Sequence, residues 1–254
     1  MENISLASYS FNNLLSRGLI DVFGYLESVK YHYNLMYADI WNGFLTSYDD
    51  EYLAKIREAM DDKGIELASL CCDWAHPYDN DADVMAKNNA TAQNCLKAAE
   101  ILGAKTVRFD VGIRDEVPTE AQYDIVVKAF SAYAQRGYDH GYMVGPENHW
   151  GASRHIDVQK ELFKRVNHSG YGTLLHFGNW AAKSAEEADA WDIEAAPMAV
   201  HTHIQYEYAD RAAERLPLMR AAGYKGKWSV EHHSGAQEYK KVEIQLGKVR
   251  LANC

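Results

Sequence analysis

Positive charge, cysteine and long apolar runs are all scarce in this chain, and each scarcity closes off a class of function. Lys and Arg number 26 against 36 Asp and Glu, a formal net charge of −10 with histidine neutral. Phosphate backbones are bound by clustered Lys and Arg, so no nucleic-acid partner is expected. No run of about 18 apolar residues occurs, which argues against a membrane span. The opening "MENISLASYSF" has no basic leader followed by a long apolar stretch, so no secretory signal is expected, and the expected compartment is the cytoplasm. The four cysteines (Cys71, Cys72, Cys95 and Cys254) show neither CxxC spacing nor a disulfide framework and read as reduced thiols.

What is present is a repeating alternation of apolar patterns. Strands are predicted at 4–10, 37–41, 65–72, 105–111, 141–147, 172–177, 198–205 and 227–233. Helices follow at 21–33, 49–63, 81–102, 119–136, 155–168, 184–194, 210–222 and 236–251. Eight βα units over 254 residues average about 32 residues each, and no Ser/Gly/Pro-rich linker interrupts them. The expectation is one α/β domain over 1–254, a parallel (β/α)8 TIM barrel with its active site at the C-terminal ends of the strands. An open doubly wound sheet would call for a glycine-rich phosphate loop after the first strand, and "SYSFNNLLSRG" is not one.

In such a barrel, chemistry sits where the strands end. Eight of the eleven histidines fall between 149 and 233. Reading only the strand ends gives Asp39 and Trp41, then Asp73, Trp74 and His76, then Arg108 and Asp110. The fifth unit gives Glu147, His149 and Trp150, the sixth His176, Asn179 and Trp180. The last two give His203 with Gln205 and Glu231 with His233. Four tryptophans (Trp41, Trp74, Trp150 and Trp180) just beyond strand ends suit the walls of a sugar pocket, although any one of them could simply plug the barrel mouth. Glu147, His176, His203 and Glu231, one from each of the last four strands, form a plausible divalent-cation site. Without a cation, two carboxylates so close would repel, and one pKa would rise. Each also has an ordinary reading: Glu147 bonded to backbone amides, His176 a satisfied core histidine, Glu231 paired with Arg108 or Lys227.

These segments, "ENHWG", "LLHFGNW", "VHTHIQ" and "WSVEHH", together with "ASYSF" and "AAEILGAKTVRFD", resemble the xylose-isomerase-like TIM-barrel superfamily, in particular its sugar phosphate isomerases and epimerases. The likeness runs over essentially the whole chain. It implies a Mn, Mg, Co or Zn ion held by Glu, Asp, His and Glu from strands five to eight, positions that Glu147, His203 and Glu231 match. Strand six departs from that pattern, with His176 in place of the usual Asp. An imidazole ligand there favours Mn, Co or Zn over Mg; otherwise His176 stays outside the coordination sphere, and water or His201 completes the site. Manganese is the first expectation.

The resemblance further implies proton abstraction from a keto-sugar through a metal-stabilised enediolate, with Glu147 and Glu231 as base and acid. Arg108, His149 and His233 are candidates to orient hydroxyls, with Trp41, His76, Trp150, Asn179 and Trp180 as further substrate contacts. Arg108 serves equally well as a structural ion pair, and Asn148 and Asn179 suit loop geometry. Two alternatives remain open. One is a lyase that deglycosylates keto-glycosides, with a partner subunit or a second copy completing the pocket; the other is a non-catalytic sugar-binding barrel. No Lys/Arg pair near a helix N-terminus marks a phosphate site in the last two units, so an unphosphorylated carbohydrate is the expected substrate.

Overall fold

The computed structural model describes residues 3–233 and 235–253. Eight parallel strands form one sheet: β1 Ile4–Ala7, β2 Tyr37–Trp41, β3 Glu66–Cys72, β4 Thr106–Phe109, β5 Met143–Gly145, β6 Thr173–His176, β7 Ala199–Gln205 and β8 Lys227–Glu231. Around it lie α1 Asn12–Ser16, α2 Val22–Glu27, α3 Asp50–Lys63, α4 Ala82–Leu102, α5 Glu120–His140, α6 Ile156–Val166, α7 Ala185–Ala195, α8 Ala212–Ala221 and α9 Glu238–Ala252. The ladder runs β5-β4-β3-β2-β1-β8-β7-β6, and the ring is closed between β5 and β6 by only two isolated parallel bridges, Val144 to Tyr171 and Glu147 to Leu174. This is the expected α/β barrel. No helix among the described residues is long and apolar enough to cross a membrane.

Side chains alternate across each strand. One set (Ile4, Leu6, Ile40, Leu70, Val107, Phe109, Ile204, Trp228 and Val230) is buried with the apolar residues of the helices. The opposite set is polar: Ser5, Asp39, Ser69, Arg108, His201, His203, Ser229 and Glu231 are all buried. Barrels of this kind usually fill their interior with branched aliphatic residues. Here that space is given over to ionisable groups.

Several predicted elements prove shorter or differently divided. The first strand ends at Ala7 and turns into a 3-10 segment, Ser8–Phe11. The first long helix is instead α2, continued by a π-type turn over Ser28–His32. β5 stops at Gly145 because Pro146 has no N–H to add to a ladder. α5 opens with a capping box between Thr119 and Gln122. It does not end at Gly137; it runs on to Gly141, which takes the left-handed conformation at φ 80°. Gly137 is there for closeness: a Cβ on it would meet the Tyr142 carbonyl oxygen at 2.7 Å. Cys71, Cys72 and Cys95 are free and buried, while Cys254 lies outside the described residues.

Gly145 explains the glycine of "VGPENHWG". A Cβ built on it would stand 1.8 Å from the carbonyl oxygen of Gly172. The β5–β6 seam therefore closes this tightly only because position 145 carries no side chain. Gly145→Ala is expected to force the seam apart and destabilise the fold by about 1–3 kcal/mol, read as a shifted midpoint in denaturant unfolding; an unchanged midpoint would show that the seam yields freely.

Candidate metal centre

At the C-terminal end of the barrel a cavity is lined by Glu147, His176, His203 and Glu231, with Arg108, Asp39, Cys71, Asp73, His149, His233, Trp41, Tyr9 and Ala7 completing the wall. The first four come from consecutive βα units, and each is buried. His176 Nδ1 lies 3.0 Å and His203 Nδ1 3.1 Å from the same oxygen, Glu147 Oε1. The same two nitrogens are 3.7 Å and 3.3 Å from Glu231 Oε2.

Donor atoms around an ion with bonds of about 2.1 Å stand about 3.0–3.4 Å apart. Each of the four residues offers a ligand atom within 4.8 Å of the others. Two carboxylate oxygens and two imidazole nitrogens are a mixed donor set suited to Mn, Co or Zn. The residues present fit a divalent cation.

The electrostatics differ from the expectation that one carboxyl pKa would rise. Burial does push the Glu147 carboxyl up. The charges of His203 and Arg108 and the hydrogen bonds from His176 and His203 outweigh it and hold Glu147 well below the usual range. Glu231, likewise penalised by burial, is pulled down by His203 and by the His233 hydrogen bond at 2.8 Å. Burial opposes a charge on His203, but Glu231 and Glu147 raise its pKa, and it joins the Arg108 guanidinium as positive charge in the cluster.

Arg108 is the hub of this charge. Its Nη1 donates to Asp73 Oδ1 at 2.8 Å and to Asp110 Oδ2 at 3.3 Å. Its Nε lies 3.1 Å from Glu147 Oε2, an ionic contact in which the N–H is not aimed for a hydrogen bond. Lys227 instead donates to Asn3 and sits over the Tyr37 ring, so neither cation pairs with Glu231. His149 faces Asp110 at 3.1 Å. Burial opposes its charge, but the Asp110 hydrogen bond and the charge of Glu147 push its pKa up to about 9. His201 does not join the four; its Nε2 lies 2.7 Å from Asp39 Oδ2, deeper in the barrel.

The other candidates divide. Trp41 lines the cavity, its indole N–H donating to Asp73 and its ring edge-on to Tyr9. His149 and His233 line it too. Four expected substrate contacts do not. His76 is bonded to Asn88 at 2.8 Å and carries Trp150 edge-on against it. Asn179 donates to the carbonyls of Asn148 and His149, and Asn148 makes a paired backbone contact with His176. Trp180 is buried, packs against Trp191 and donates to Asp192. These four, with Asn148, hold the loops that carry Glu147, His149 and His176. Of the four tryptophans expected to wall a pocket, Trp41 lines the cavity, whereas Trp74, Trp150 and Trp180 do not: the Trp150 ring packs against His76 and Arg114, and the Trp180 indole donates to Asp192. Tyr9 was not foreseen, although "ASYSF" leaves β1 as the other loops leave their strands.

Asp192 on α7 anchors the loop after β6. Its Oδ1 accepts from the Gly178 N–H at 3.1 Å and the Trp180 indole at 2.8 Å. Burial raises its pKa to about 7, well above the unfolded value near 3.9. The folded chain then binds the extra proton between those values, so this group subtracts stability as pH climbs from about 4 to about 7. Asn at this position keeps the acceptor and cannot ionise. The unfolding free energy of the parent, relative to Asp192→Asn, should fall by up to about 1.4 kcal/mol per pH unit across that window; a flat difference would contradict it.

A (β/α)8 barrel with carboxylates and imidazoles gathered at its C-terminal mouth belongs to the class of metal-competent barrels. The xylose isomerase-like TIM barrel family matches residues 28–242, and the chain belongs to that family. No curated protein matches it in sequence. Among solved structures it is similar to a 3-keto-D-glucoside 4-epimerase from E. coli (TM-score 0.78, 11% identity, 99% of this chain and 100% of the other). It is also similar to D-psicose 3-epimerase from Clostridium cellulolyticum H10 with D-tagatose (TM-score 0.77, 13% identity, 100% of both chains). A third is the probable 3-DHS dehydratase of petrobactin synthesis from Bacillus anthracis (TM-score 0.70, 12% identity, 98% and 99%). At these identities the likeness is one of fold.

Proposed function

We propose that residues 1–254 act as one catalytic unit, a divalent-metal-dependent isomerase or epimerase of a small, uncharged keto-sugar. The observation that carries this reading is the convergence of Glu147, His176, His203 and Glu231 on one cavity. The epimerase activities named for two of the structures similar in fold point the same way. A bound ion, with manganese first, would supply Lewis-acid polarisation of the sugar carbonyl. Glu147 and Glu231 take a proton from the carbon beside that carbonyl and return one. His149 and His233 reach the cavity with ring nitrogens able to orient hydroxyls, and Trp41 and Tyr9 offer faces to the sugar C–H surface.

The charge of the wall selects the substrate. Asp39, Asp73, Glu147 and Glu231 line it; the Arg108 guanidinium is already engaged by Asp73, Asp110 and Glu147, and the His149, His203 and His233 imidazoles by Asp110, Glu147 and Glu231. A phosphate ester entering this cavity finds repulsion and no free cation. In D2O with manganese, an uncharged ketohexose should take up deuterium at the carbon beside its carbonyl, and its phosphate ester about tenfold more slowly or worse. Chelation should stop the exchange and manganese restore it. Absence of exchange across uncharged keto-sugars at full ion occupancy overturns the proposal.

One observation favours a second reading. Trp74 is 62% exposed beside the cavity-lining Trp41, with ring centroids 6.2 Å apart. A free indole there suits an aromatic aglycone. The same proton abstraction followed by loss of a β leaving group would then cleave a keto-glycoside. Released aglycone supports elimination; a new stereoisomer supports epimerisation.

A further inference from the structure

The layer of the barrel beneath the four proposed ligands is as polar as the site itself. Asp39 of β2, His201 and His203 of β7 and Cys71 of β3 are buried there. Asp39, His201 and His203 each offer a ligand atom within 4.8 Å of the others. His203 spans two levels: its Nδ1 faces Glu147 and Glu231, while its Nε2 lies 3.6 Å from the Cys71 sulfur.

A simple Asp39–His201 ion pair does not account for this layer. Asp39 Oδ2 is well supplied, accepting from Ser5 and Ser229 and facing His201 Nε2. Asp39 Oδ1, fully buried, has no hydrogen-bond partner. A bare carboxylate oxygen in a protein interior is costly. The pair also leaves unexplained why Cys71 and the far side of His203 meet there. Asp39 and Cys71 both line the cavity, so an ion entering it reaches them.

We propose that the barrel interior holds a second divalent cation, one layer below the first, on Asp39, His201 and the Nε2 side of His203, with the Cys71 thiol, 3.6 Å from that nitrogen, turning in to complete the set. A carboxylate, imidazoles and a thiolate form a zinc- or cobalt-class donor set. Binding there displaces the His201 N–H from Asp39 and releases to solvent the Cys71 thiol proton and the ring N–H protons that the ions replace. His203 then joins the two centres through its two nitrogens.

The test uses the full chain, stripped with a chelator and titrated with Co²⁺. Bound ions per chain and thiolate-to-cobalt charge-transfer absorption are followed together. The expected result is two ions per chain with a thiolate band. Cys71→Ser should abolish the band, whereas Cys95→Ser should leave it. Glu231→Gln, which weakens only the upper site, should keep it. Saturation at one ion with no thiolate band overturns this inference and leaves the proposed function standing. A thiolate band that survives in Cys71→Ser overturns the assignment as well.

Discussion

Glu231→Gln is expected to slow deuterium exchange into the sugar about 10²–10⁴-fold, the usual contribution of a positioned acid or base. The amide keeps a carbonyl oxygen in nearly the same place, so ion content at saturating manganese should change far less than the rate. Its cost falls on proton transfer, because glutamine neither accepts nor returns a proton at neutral pH. Glu231 is the sharper choice of the two acids. Glu147 Oε1 is shared by two imidazoles and its Oε2 faces Arg108, so its replacement also disturbs the charge around that arginine. The comparison needs ion content measured on the same samples. Exchange at the parent rate with the ion fully bound would remove Glu231 from the chemistry and leave only ligation.

Arg108→Met is expected to produce the largest loss of stability. The guanidinium is buried and stands among Asp73, Asp110 and Glu147. Methionine fills part of the volume but leaves three carboxylates without their common cation. Removing one partner of a buried charge group costs about 3–5 kcal/mol. In a chain of this size that corresponds to a melting temperature lower by roughly 10 °C or more. Manganese should recover part of the loss, since an ion held by Glu147 neutralises one of the three acids. Arg108→Lys should recover part as well, as a point charge unable to serve three carboxylates with a planar fork. A variant as stable as the parent would mean that the acids are neutralised by their own protonation, and Arg108 would then be free to act on substrate.

This second result also bears on a choice the residues alone left open, between Arg108 as substrate contact and Arg108 as ion pair. Sequence could not settle it. The answer depends on Asp73 and Glu147 arriving from two other units to join Asp110, which stands two residues beyond Arg108.

The amino-acid order by itself determined the barrel and the level at which its chemistry sits. Alternation of period two against helical periodicity is a local property, repeated eight times along the chain. Parallel strands then put every strand end on one face. Glu147, His176, His203 and Glu231 were legible for that reason: each stands at the same place in its own unit.

Closure decided the rest. Tertiary structure set the handover of Trp180 to Asp192, the turning of His76 toward Asn88, the arrival of Tyr9 beside Trp41, and the meeting of Asp39 with His201 across the interior. Those partners are between 12 and 162 positions apart in the chain. A strand pattern states which face a side chain takes. Which neighbour it meets depends on register, on the bulges in β2–β3 and β6–β7, and on the narrow β5–β6 seam at Gly145.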